Sequence, residues 1–174
     1  MELEQKKRII ADAIEKAQDE GNIEKASGIV EGAAIAAPAL GLAENIGLQY
    51  ELQVASAIVG MGYIATPSSL DRRFDLVVRE GVDRIIYAEL KRYADSRLVP
   101  SQIVEALIYW ASKVLVPVIL ITNVELSRAA QEVISASGKL EVVQWRDEND
   151  NDRLAETLRH MFASIPSSPG IDAG

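Results

Sequence analysis

The chain has 174 residues, 48% of them hydrophobic, which fits one domain with a buried core. Its net charge of −8 argues against a nonspecific nucleic-acid binder, because such binding depends on Lys and Arg displacing counterions. No stretch reaches the roughly 18 apolar residues of a membrane span, since the longest, residues 32–43, is interrupted by Pro38. Cysteine is absent, which excludes disulfides and thiolate metal sites. With no secretory signal, the sequence favours a cytoplasmic location.

Residues 1–42 predict a helical hairpin that precedes the main domain. Leu3, Ile10 and Ile14 recur at helical spacing before Gly21, and a second helical segment ends at Pro38. This extension is rich in Ala and Gly, so its helices could approach another surface closely. We expect it either to pack on the main domain or to form a homodimer interface.

Residues 43–163 alternate between helical and strand patterns. A helix is expected over 43–61, then a short strand over 63–66, and then a β-hairpin with apolar runs at 76–78 and 85–88 around a polar turn at 79–83. A helix capped by Ser101 follows. The continuously apolar run 114–121 predicts a strand covered on both faces, beginning only after Pro117.

The last part of the chain predicts a helix over 126–137, a strand over 140–145 and a terminal helix over 153–163 capped by Asp152. The Pro-, Ser- and Gly-containing residues 164–174 are expected to be a disordered tail. The main domain therefore spans residues 43–163.

Charged residues stand at the ends of the predicted hairpin strands. Asp75 precedes the first strand, and Glu89 and Lys91 end the second. Because alternate strand residues share a face, Glu89 and Lys91 point the same way, and folding at the turn brings Asp75 near them. Two carboxylates and an ammonium can hold a hard divalent cation and activate a water. The simpler alternative is a solvated ion pair at a strand end, which contributes about 0 to 1 kcal/mol.

This pattern resembles the PD-(D/E)xK nuclease superfamily, and within it the catalytic domain of Mrr-like restriction endonucleases. The similarity runs in order over about residues 45–146 and rests on four segments: 47–51 with its helix, 71–75, 88–93 and 119–130. Phe74 departs from the Pro or Gly often found before the first acid, and Glu89 replaces a frequent Gln. The resemblance implies a restriction-endonuclease-like three-layer α/β/α fold with a central mixed sheet.

The resemblance also implies a Mg²⁺-dependent endonuclease acting on DNA. Asp75, Glu89 and the Leu90 carbonyl would hold Mg²⁺, for which Mn²⁺ could substitute. Lys91 would orient or deprotonate the attacking water, or offset charge on the phosphate. Glu51, on the first helix, matches an acid that can join the metal site directly or through water.

Further residues of this region are expected to have supporting roles. Residues 52–115 carry eight basic and seven acidic side chains, the most basic part of the chain. We expect phosphate contacts from its arginines, unless they serve only solubility; the candidates are Arg72, Arg73, Arg92 and Arg97. Gln102 resembles a glutamine that approaches the active site in relatives, and Asp71 either assists the site or, as we favour, caps a turn.

Two other functions fit the same sequence. One is a nuclease-fold protein that binds nucleic acid or a protein partner without cutting, which the acidic composition favours. The other is a junction resolvase or ribonuclease of the same superfamily. Mrr-like enzymes generally carry a separate DNA-reading domain for which this length leaves no room, so a separate DNA-recognition partner is also expected.

Overall fold

A computed structural model describes residues 42–68, 74–94 and 97–166 of the chain. The predicted N-terminal hairpin up to residue 41, the tail beyond residue 166, and Asp71, Arg72 and Arg73 lie outside the described residues. Within the described part, no helix is long and apolar enough to cross a membrane.

One mixed sheet of five strands forms the centre of the fold, with the strands side by side in sequence order. Strands β1 to β3 pair antiparallel, whereas β3, β4 and β5 pair parallel. The strands are β1 (Ile64–Pro67), β2 (Leu76–Glu80), β3 (Arg84–Lys91), β4 (Val118–Thr122) and β5 (Leu140–Gln144). The predicted hairpin is β2–β3. Its turn is shorter than predicted, because residues 79 and 80 belong to β2 and pair with β3. The positive φ of 67° at Gly81 makes this tight turn possible.

Four helices of the described part of the chain cover the two faces of this sheet. They are α1 (Leu42–Gly60), α2 (Ser101–Ala111), α3 (Arg128–Ser137) and α4 (Asn151–Ser164), the last preceded by a 3-10 turn at Glu148–Asp150. Side chains of α1 and α4 join one buried cluster, and those of α2 and α3 join the other. The predicted α/β/α layering is therefore present.

Strand β4 shows why both faces need a helical cover. All five of its residues are buried. Ile119 and Ile121 enter the α1/α4 core, while Val118 and Leu120 enter the α2/α3 core. The strand begins after Pro117, as predicted, and the Pro117 carbonyl accepts the Tyr87 N–H at 2.9 Å.

Two predicted helix caps were wrong. Ser101 is the first helical residue of α2, and its N-cap position is held by Pro100 without a side-chain hydrogen bond. Asp152 lies inside the first turn of α4, because the helix starts earlier, directly after the 3-10 turn. The start of α4 is held instead by the Trp145 indole, which donates to the Asn151 Oδ1 at 2.8 Å.

Candidate active site

The hairpin β2–β3 brings the three candidate catalytic residues together. Leu76 pairs with Ala88, so Asp75 lies beside the end of β3. The Asp75 N–H donates to the Ala88 carbonyl at 3.0 Å, and the Leu90 N–H donates to Asp75 Oδ2 at 2.8 Å. The Asp75 carboxylate is therefore fixed against the backbone segment that carries Glu89 and Lys91.

Glu89 is a buried acid, with only 7% of its surface exposed. Burial and the negative charge of Asp75 together raise the pKa of Glu89 to about 7, although Lys91 opposes the increase. The surroundings of Glu89 provide too little positive charge to balance its carboxylate, so this position suits a bound cation.

Lys91 forms an ion pair with Glu89 and keeps 37% of its side chain exposed. Burial alone would lower the pKa of Lys91, but the negative charges of Glu89 and Asp75 outweigh that effect and raise it. Without a bound cation, Lys91 is therefore a positively charged group at neutral pH. In this form it can stabilise negative charge and donate hydrogen bonds, but it cannot accept a proton.

Glu51 approaches the same group of charges from a different element. It is half-buried on α1, and its charge contributes to the raised pKa of Glu89. Its position is compatible with a supporting role, whereas Asp75 and Glu89 form the centre of the site.

The oxygen donors of the site suit some metal ions better than others. Among the described residues, no group of three or more His, Cys, Asp or Glu side chains is placed to hold one. Mg²⁺ does not require such a group, since it usually keeps several waters and binds one or two carboxylates together with substrate phosphates. Asp75, Glu89 and the Leu90 carbonyl thus fit Mg²⁺ better than a cation that needs an all-protein cage.

The other predicted site residues lie further along the chain. Arg92 is exposed, and its guanidinium lies 6.0 Å from the centre of the Tyr50 ring. Arg97 is exposed in the following loop, and Gln102 is exposed in the first turn of α2. The role predicted for Gln102 stays a prediction.

A cleft of about 500 Å³ opens beside the site. Arg92 and Arg97 line it together with four polar or charged residues that the sequence did not single out: Asn123, Glu125, Gln144 and Arg146. A usable signal existed for Asn123, because polar residues that directly follow a buried strand of a parallel sheet often face a binding crevice. Arg146 carried the same signal, because it directly follows the strand predicted over 140–145, but it stands at the start of an acidic turn.

Comparison with known proteins identifies the family. A family model described as a restriction endonuclease, the Mrr catalytic domain, matches residues 42–156, about two thirds of the chain. No curated protein sequence matches the chain.

Two solved structures are similar at low identity. The crystal structure of AF1548, a protein of unknown function, has 12% identity and a TM-score of 0.43, with 69% of this chain and 71% of that one covered. The DNA modification-dependent restriction endonuclease AspBHI has 13% identity and a TM-score of 0.39, with 95% of this chain covered. This chain spans only 41% of the length of AspBHI. On the family match and the α/β/α architecture, the chain belongs to the Mrr-type restriction endonuclease family and has its restriction-endonuclease-like fold.

Proposed function

We propose that this chain is a Mg²⁺-dependent endonuclease that hydrolyses phosphodiester bonds of DNA. The observation that carries the proposal is the convergence of Asp75, Glu89 and Lys91 on adjoining strand ends, in a member of a restriction endonuclease family. A buried acid such as Glu89, with a second acid and a lysine beside it, is costly to maintain unless a cation and an anionic substrate complete the charge balance.

Asp75 and Glu89, with the Leu90 carbonyl, would hold the cation. A bound Mg²⁺ supplies charge stabilisation at the phosphate and makes a bound water more acidic. The N–H of Leu90 holds one oxygen of Asp75, which fixes the direction of the carboxylate before metal arrives. The role of this hydrogen bond is therefore to orient a ligand rather than to bind substrate.

Lys91 would act on the phosphate and the attacking water. It is paired with Glu89. Its ammonium would donate to a phosphate oxygen or orient the water.

The test is a gel-resolved cleavage assay with Mg²⁺, with Mn²⁺ and with EDTA. Substrates are modified and unmodified duplex DNA, single-stranded DNA, a four-way junction and RNA. We expect metal-dependent cleavage of DNA, and a loss of about 10²-fold or more for Lys91→Ala, the range seen when a positioned proton-transfer or charged group is removed. Lys113→Ala is the matched control, because Lys113 is an exposed lysine that stacks on the exposed Tyr109 ring.

Three outcomes have distinct meanings. Cleavage by Lys91→Ala at the wild-type rate would contradict the proposed mechanism. Cleavage of RNA or of the junction alone would move the substrate assignment to a ribonuclease or a resolvase. A folded wild-type protein that binds nucleic acid but cuts none of the panel would favour the non-catalytic alternative.

A further inference from the structure

The cleft beside the candidate active site lies at one end of the sheet, where the three parallel strands β3, β4 and β5 terminate. Lys91 pairs with Thr122, and Thr122 pairs with Gln144, so the last residues of β3, β4 and β5 form one row. Arg92 and Asn123, the next residues along their strands, line the cleft. The cleft therefore begins one residue beyond Lys91 and extends across the strand ends toward Arg146.

The charge of this cleft is opposite to that of the whole chain. Among the residues that the structure describes, the lining contains Arg92, Arg97 and Arg146 but only one acid, Glu125, whereas the chain carries a net charge of −8. The amide side chains of Asn123 and Gln144 add polar groups. Guanidinium and amide donors on a concave surface suit the phosphate oxygens of a nucleic-acid backbone.

Asn123 holds the backbone that carries Arg92. It is only 5% exposed, and its side chain makes two hydrogen bonds to one residue: Oδ1 accepts the Tyr93 N–H at 2.7 Å, and Nδ2 donates to the Tyr93 carbonyl at 2.9 Å. Gln144 Nε2 donates to the Asn123 carbonyl at 3.2 Å. The ends of all three strands are thus joined by side-chain hydrogen bonds under the cleft.

Arg146 is also held in place. Its Nε and Nη2 donate to the two carboxylate oxygens of Asp150 at 2.9 and 3.0 Å. This bidentate pair uses two of the five guanidinium N–H donors. An arginine that served solubility alone would not need such a buried partner, and a fixed guanidinium loses less entropy when it binds a phosphate.

We propose that this cleft binds the backbone phosphates of the DNA strand next to the scissile phosphate, with Arg92, Arg97 and Arg146 as the phosphate contacts. Asn123 and Asp150 act as positioning residues for Arg92 and Arg146. This inference rests on the proposed endonuclease function, and it gives the direction in which the cut strand leaves the site: across the ends of β4 and β5.

The experiment measures binding separately from cleavage. Fluorescence anisotropy of a short labelled DNA duplex is followed in EDTA at several salt concentrations, with Lys91→Ala as the parent protein. Arg92→Ala and Arg97→Ala are tested singly. Arg146→Ala is tested together with Asp150→Asn, so that no buried carboxylate loses its partner, and Asp150→Asn alone serves as its reference.

Each lost phosphate contact should weaken binding and reduce the slope of log K against log salt concentration by about 0.9. Arg159→Ala is the matched control. Arg159 is exposed near the end of α4. This end of the helix contacts the start of β3, because the Phe162 carbonyl accepts a hydrogen bond from Arg84, the first residue of that strand. Arg159 therefore lies at the opposite end of the strands from the cleft. Its removal should leave the slope of log K against log salt concentration unchanged.

The outcomes separate this inference from the proposed function. If wild-type protein cuts DNA but the three cleft variants keep the parent affinity and salt slope, the cleft assignment is wrong and the nuclease stands. If the variants lose affinity and slope while wild-type protein never cuts, the cleft assignment stands and the nuclease is wrong. A parent protein that binds no duplex at all contradicts the cleft assignment as well.

Discussion

At the scale of single residues, Asp75 has two functions that substitution can separate. Its carboxylate is a proposed metal ligand, and its Oδ2 also accepts the Leu90 N–H at 2.8 Å. An asparagine keeps a carbonyl oxygen for that hydrogen bond but loses the charge, whereas an alanine loses both. The two variants therefore report on different properties of the same side chain.

We expect Asp75→Asn to abolish metal-dependent cleavage while its free energy of unfolding stays close to that of the wild type. Asp75→Ala should abolish cleavage and also lower the free energy of unfolding by about 1 to 3 kcal/mol, because the Leu90 N–H loses its partner. Urea denaturation and the cleavage assay check the two effects. If Asp75→Asn cuts DNA as well as the wild type, the assignment of Asp75 as a metal ligand is wrong.

At the scale of secondary-structure elements, the two helices on one face of the sheet start differently. Ser127 is a true N-cap of α3, because its Oγ accepts the Ala130 N–H at 3.2 Å. Ser101 lies within α2, whose N-cap position is held by Pro100 with no side-chain hydrogen bond. The same residue type thus stabilises one helix start and has no capping role at the other.

Replacing each serine by alanine gives a matched comparison. Ser127→Ala should lower the free energy of unfolding by about 0.5 to 2 kcal/mol, the usual loss for a helix N-cap. Ser101→Ala should change it by less than about 0.5 kcal/mol, since alanine is also the better helix former. Thermal or urea unfolding measures both. Equal losses in the two variants would contradict the assignment of the caps.

At the scale of the whole molecule, the Arg146 and Asp150 pair joins the end of the sheet to the helix that closes the core. Hydrogen bonds from the Arg146 side chain and backbone lower the pKa of Asp150 to about 2, from an ordinary value of 3.8. A group whose pKa is lower in the folded state stabilises that state above its unfolded pKa, and this contribution disappears as pH falls toward the folded value.

The expected result is a pH-dependent difference between wild type and Asp150→Asn. At pH 7 the variant should have the lower free energy of unfolding, and the difference should shrink as pH falls from about 4 to about 2. Urea denaturation at a series of pH values, with global unfolding monitored by circular dichroism, gives this difference. A difference that stays constant down to pH 2 would show that Asp150 contributes through shape rather than charge.

The sequence by itself determined the order and type of the elements and the approach of Asp75 to Glu89. Both follow from local rules: apolar periodicity defines strands and helices, and a hairpin brings its own two ends together. Fully apolar residues 118–121 likewise required cover on both faces. The catalytic and metal roles of Asp75, Glu89, Lys91 and Glu51, and the N-terminal homodimer interface, stay predictions.

Only the tertiary structure decided what surrounds this site. The cleft combines Arg92, Arg97 and Leu98 with residues 123–125 and with Gln144 and Arg146. These residues are far apart in the chain and meet because β3, β4 and β5 pair in parallel and in register. A local pattern places Arg146 directly after a strand, but its position on this surface depends on where β5 ends and on the buried Asp150 beside it. Local periodicity specifies each element, but long-range strand pairing specifies which residues after the strands meet at one end of the sheet.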